Sequence, residues 1–82
     1  MFYYLNGTVA LMDAGLVVLD VGGVGFSVST TTWSQGQMKQ GATQKLFTHV
    51  VVREDAMDIY GFTTREELRC FQLLISVTGV GP

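Results

Sequence analysis

Residues 3–12 are rich in aromatic, β-branched and other apolar side chains, with Gly7 in their middle. Such a run predicts a strand, and an interior glycine marks a bulge or the bend where a barrel strand curls. Asp13, Ala14 and Gly15 predict a turn. Residues 16–21 form a compact apolar run interrupted only by Asp20. Gly22 and Gly23 supply the positive φ angles of a tight hairpin. In residues 25–29, Phe26 and Val28 alternate with Ser27 and Ser29, the period of a half-buried strand. Residues 43–53 make the longest predicted strand. Leu46, Thr48, Val50 and Val52 share one face; Phe47, His49, Val51 and Arg53 share the other. Apolar residues on both faces fit a strand that lines a barrel and is covered outside by a helix or a partner. Residues 56–60 follow as a short strand after a turn at Glu54 and Asp55, and Gly61 is expected to end it.

Residues 30–41 are polar and read as a loop with one helical turn, anchored by Trp33. That indole suits either a hydrophobic plug under the loop or a base-stacking platform, and the scarcity of positive charge favours the plug. From Thr64 the period becomes helical. Thr63 with Glu66, or Thr64 with Glu67, has capping-box spacing, and the two glutamates suit the positive end of a helix dipole. Leu68, Phe71 and Ile75 form an apolar stripe that Leu74 widens. Gly79 is placed to stop the helix. The expected fold is mainly β: a five- or six-stranded Greek-key barrel of the OB type with one C-terminal helix. Residues 1–62 are assigned to the barrel and 63–82 to the helix and the opening of a second unit.

Composition narrows this picture. Eighty-two residues hold one small domain, and 48% apolar with 15% charged residues excludes a disordered chain. Uninterrupted apolar runs extend only a few residues, so no helical membrane span is expected. The N-terminal segment lacks the basic and long apolar regions of a signal peptide. The single cysteine, Cys70, forms neither an intrachain disulfide nor a metal cage, which points to a reducing cytosol. Five Lys or Arg face seven Asp or Glu, a net charge of −2 with no basic cluster. Unaided nucleic-acid binding is therefore not expected, since it draws on counterion release by a basic face.

Few motifs carry chemistry. Gly22-Gly23-Val24-Gly25 lacks the Lys-Ser/Thr ending and the following helix of a phosphate loop, so it reads as a hairpin turn. His49 has no evident nucleophile, orienting partner or fellow ligand and reads as structural. Cys70, among Leu68, Phe71 and Leu73, reads as a small buried hydrophobe. Glu54 and Asp55 are adjacent at a strand-connecting turn. They suit a solvated turn, acid–base work, or two fixed charges that repel phosphates. Gly79-Val80-Gly81-Pro82, straight after a helix, looks like the hairpin of a helix-hairpin-helix motif. The backbone N–H groups of Gly79, Val80 and Gly81 would face a phosphate there, and Pro82 would open the next helix. The plain alternative is a C-terminal tail.

Four segments, in this order and spacing, make the chain resemble the RuvA family of bacterial Holliday-junction recognition proteins: Val21-Gly22-Gly23-Val24-Gly25-Phe26, residues 47–56, Tyr60-Gly61-Phe62 and Gly79-Val80-Gly81-Pro82. The match runs essentially end to end and is looser over residues 1–7, where Tyr4 and Asn6 stand at positions that are often basic in the family. The resemblance implies an OB-fold barrel near the centre of a homotetramer, or of an octamer. It implies that the subunit is non-catalytic and holds four-way junction DNA open for branch migration in recombination and repair. A RuvB-like ATPase drives the DNA, so ATP is used by that partner and no cofactor is expected here. A RuvC-like resolvase cuts the junction. Glu54 and Asp55 match the family's acidic pin. Residues 63–82 match the first part of its helix-hairpin-helix domain, so the chain reads as part of a protein of about two hundred residues in the bacterial cytoplasm, with no membrane role. The competing reading is a free-standing OB-fold interaction domain that never meets DNA.

Overall fold

The structure, a computed structural model, describes residues 3–78. Five strands, β1 (Tyr4–Asp13), β2 (Leu16–Val21), β3 (Val24–Ser29), β4 (Thr43–Val52) and β5 (Met57–Phe62), are joined by the short helix α1 (Thr32–Gly36) and followed by α2 (Arg65–Thr78). The strands close into a barrel in the order β1-β2-β3-β5-β4. Adjacent strands are antiparallel except β3 and β5, which run parallel and meet at Ser29 and Tyr60. This is the expected OB-type barrel, with five strands.

Closure depends on β1 serving two neighbours. Its first half, Tyr4 to Thr8, pairs with β4, and its second half, from Thr8 onward, pairs with β2. Thr8 pairs with both neighbours, and Gly7 stands just before it, close under β2. A Cβ there would stand 2.2 Å from the carbonyl oxygen of Asp20, far inside contact distance. A register shift between Val9 and Leu11 adds a bulge, and Val9 exchanges backbone hydrogen bonds with Ala42 and Gly41. The β2–β3 hairpin turns on Gly22 (φ 60°) and Gly23 (φ 91°), as their pairing predicts. Asp20, the one charge in β2, accepts a 2.8 Å hydrogen bond from the Gly23 N–H and so fixes that turn.

The core is the barrel lumen. Val9, Val17, Leu19, Val28 and Leu46 are fully buried, and Leu5, Val50, Ile59 and Met38 close its ends. Trp33 is not the expected plug: it is 54% exposed, and the buried residue of α1 is Ser34. Successive helical residues point about 100° apart, so turning Ser34 inward turns Trp33 away from the barrel. Thr31 caps α1 by accepting from the Ser34 N–H, which turns Ser34 inward, and Met38 supplies the apolar cover instead. Gly61 does not end β5 either. It is a buried strand residue, and a Cβ there would lie 2.6 Å from Val28 Cγ1, so it marks a close approach within the barrel.

The outer face of β4 is covered by α2, as its two-faced pattern predicts. Phe71 packs on Tyr60 and Phe62 with ring centroids 5.2 Å away in each case, and meets the edge of His49 at 5.6 Å. Leu68 is buried beside them. Leu74 and Cys70, expected on the packed side, are exposed, because only one narrow face of a straight helix reaches the barrel wall. Thr64 caps α2 through the Glu67 N–H at 3.1 Å. The reciprocal half of a capping box does not form. The Glu67 carboxylate accepts instead from Thr31 Oγ1 at 2.6 Å and from Ser34 Oγ, while Ser34 Oγ takes the Thr63 N–H at 3.0 Å. One carboxylate thus ties α1 to the start of α2. The expected helix stop at Gly79 lies outside the described residues.

Candidate functional site

Glu54 and Asp55 form the tip of the β4–β5 hairpin. Two backbone hydrogen bonds close it: Arg53 N–H to Ala56 O at 2.7 Å and Ala56 N–H to Arg53 O at 3.4 Å. No non-glycine residue among those described has positive φ, so the tip adopts a turn that two acidic residues tolerate. Both side chains are exposed. The neighbouring cation does not neutralise them. The Arg53 guanidinium is paired with the Asp58 carboxylate, two register positions below on β5. Among the described residues the two tip carboxylates have no partner. Beneath them the cross-strand pair Val52 and Met57 is also exposed, 66% and 53%. The structure therefore presents a narrow hairpin with uncompensated negative charge at its end and apolar flanks below.

His49 is placed as a structural residue, against Phe71 and with Nδ1 3.4 Å from Gln72 Nε2. Among the described residues no group of three His, Cys, Asp or Glu could hold a metal ion. Gly79, Val80 and Gly81, the expected phosphate-binding hairpin, lie outside the described residues.

The sequence reading passed over a second arrangement. Between α2 and the outer edge of the barrel lies a cleft of about 270 Å³, lined by Tyr3, Thr48, Arg65, Glu66, Leu68, Arg69 and Gln72. Tyr3 and Tyr4 are both exposed, and their rings pack edge-on with each other and with Phe47. The Lys45 ammonium sits 4.5 Å from the Tyr4 ring centroid. Three of the five basic residues thus share one seam with two exposed tyrosines. One signal for it was available: Arg65 and Arg69 are four apart in a predicted helix and so share a face. Lys45 could not be added without knowing that β1 lies beside β4.

The RuvA N terminal domain family model matches residues 1–61. Relatives named Holliday junction branch migration complex subunit RuvA match the chain across its length. The one from Alkaliphilus oremlandii is 45% identical over 82 residues, all of this chain and 42% of the relative. The one from Shewanella denitrificans is 47% identical over 81 residues, 95% of this chain and 39% of the relative. The one from Arthrobacter sp. is 40% identical over 82 residues, all of this chain and 38% of the relative. The chain spans about two fifths of the length of these curated relatives.

Proposed function

The chain belongs to the RuvA N-terminal domain family, and from that membership we propose that it supplies the barrel and acidic pin of a non-catalytic subunit that recognises Holliday junctions. In this reading the complete gene product forms a homotetramer or octamer in the bacterial cytoplasm and holds four-way junction DNA open. A RuvB-like ATPase supplies the ATP-driven motion and a RuvC-like resolvase the cleavage. The phosphate contacts that anchor DNA come from segments following α2, beginning at Gly79, Val80 and Gly81.

One observation carries the role of the barrel itself: the hairpin tip keeps two carboxylates uncompensated because Arg53 is engaged by Asp58. An exposed acidic pair does little for folding, and a catalytic pair would need matched neighbours that are absent among the described residues. Its physical effect is repulsion of phosphate. At 10 Å in water, one charge–phosphate pair is worth about 0.4 kcal/mol before salt screening. Four subunits would bring eight carboxylates to the crossover, and DNA covering them would lower the local dielectric. A sum of about 1–3 kcal/mol is then enough to turn duplex away from the centre and direct separated strands outward. The exposed Val52 and Met57 flanks offer the bases no hydrogen bonds, so the hairpin discriminates by charge and shape without reading sequence.

The test replaces both acids in the complete gene product, Glu54→Gln with Asp55→Asn. Duplex binding is expected to tighten, or junction preference to fall, with altered branch migration. Wild-type preference and wild-type migration rate would remove the pin assignment.

A further inference from the structure

We infer that the seam between the barrel and α2 is a second nucleic-acid contact, in which Arg65 and Arg69 hold a backbone phosphate in the cleft against Tyr3, Thr48 and Gln72. The inference rests on the DNA-binding reading above and deepens it, because it assigns a site to residues of this chain outside the pin.

The two arginines are not explained by the fold. Neither has an ion pair among the described residues, and both are exposed. Arg65 opens α2, where the helix dipole favours anions and disfavours cations, and Arg69 stands one turn on. Glu66 also lines the cleft but leaves it with a net positive lining. Two guanidinium groups one helical turn apart repel each other, and an oxyanion between them relieves both penalties at once. Guanidinium forks match phosphate geometry, with several N–H donors per group. Gln72, whose amide nitrogen also meets His49 Nδ1, and the buried Thr48 complete the cleft wall.

The surroundings favour a nucleic-acid phosphate over a free anion. Tyr3 carries the cleft onward to Tyr4 and Lys45, so a third cation and two exposed rings continue the same track. Cations at both ends of two exposed aromatic rings suit a phosphate backbone with bases or sugars packed beside it. Lys45 and the acidic tip stand at opposite ends of β4. Val52 lies seven residue steps beyond Lys45, about 23 Å along the strand. That exceeds the Debye length at physiological salt, so the tip does not cancel the seam. The barrel is acidic in sum yet polarised along one strand, repelling phosphate at one end and holding it at the other.

The experiment uses the complete gene product and a labelled four-way junction, with affinity measured from 50 to 200 mM salt. Arg65→Gln with Arg69→Gln is expected to weaken binding roughly tenfold at 0.1 M salt and to flatten the slope of log K against log salt by about 1 to 2. Arg65→Lys with Arg69→Lys should restore the slope, because charge carries that effect. Circular dichroism of each variant reports folding; if the Gln pair does not fold, Lys45→Gln with Tyr4→Ala probes the same track, with a slope change of about 1 expected. An unchanged slope in folded variants overturns the inference while the wild type's junction binding leaves the family reading standing. A changed sedimentation coefficient with an unchanged slope assigns the arginines to contact between copies of the chain and also overturns it. Failure of the wild type to bind any DNA overturns both.

Discussion

The two ends of β4 are built in different ways. At its C-terminal end, the acidic tip is local: residues 53–58, two backbone hydrogen bonds and one ion pair make it. At its N-terminal end, the cationic seam draws on three distant stretches, at Tyr3 and Tyr4, at Lys45 to Thr48, and at Arg65 to Gln72. A local site survives whatever leaves its hairpin intact. An assembled site survives only while the barrel stays closed and α2 stays seated. Opposite charges can therefore occupy one strand with different sensitivities to damage.

The strongest way to break the comparison is to remove the frame that both ends share. Gly7→Ala drives a Cβ into the Asp20 carbonyl, one residue before β1 changes partner. Backbone atoms cannot yield as a side-chain tip does, so a loss of about 3 kcal/mol or more is expected in denaturant unfolding. A loss under about 1 kcal/mol would show that the two strands can shift apart there. The next largest effect separates the two ends. Glu67→Ala leaves the Thr31 and Ser34 hydroxyls, the latter fully buried, without their acceptor, at about 1–3 kcal/mol. Hydrogen exchange should show α2 amides losing protection while the strands keep theirs, and Glu67→Gln should retain part of it. Equal loss across strands and helix would mean that α2 and the barrel unfold as one unit. The smallest effect sharpens the contrast: Glu54→Gln with Asp55→Asn should change stability by no more than about 0.5 kcal/mol, because these exposed groups support nothing in the fold. A larger change would give the tip a folding role.

The barrel was legible because its signals are local and repeated. Gly22 and Gly23 announce a hairpin, alternation at Phe26 to Ser29 announces a half-buried strand, and two apolar faces on β4 announce a covered wall. The misreadings share a cause. Trp33, Leu74 and Cys70 were placed by hydrophobicity, which says that a side chain gains from burial but not that a surface waits for it. Each lies on a helix that meets the barrel along a narrow face, and its neighbours Ser34, Leu68 and Phe71 took that face. Gly61 was read as a break because glycine has two uses, a turn or a close approach, and only the neighbour, Val28, distinguishes them.

The individual strands, the hairpins, the start of α2 and the acidic pair at a turn follow from residues near one another in the chain, since backbone propensity and short-range alternation act over a few positions. Two features needed the folded molecule: the tie from Glu67 to α1, and the gathering of Lys45, Arg65 and Arg69 along one seam. The cause is barrel closure. Pairing β1 with β4 and laying α2 across β4 fixes distances between residues up to about sixty positions apart. Charge interactions depend on those distances, and a count of charges along the chain does not contain them.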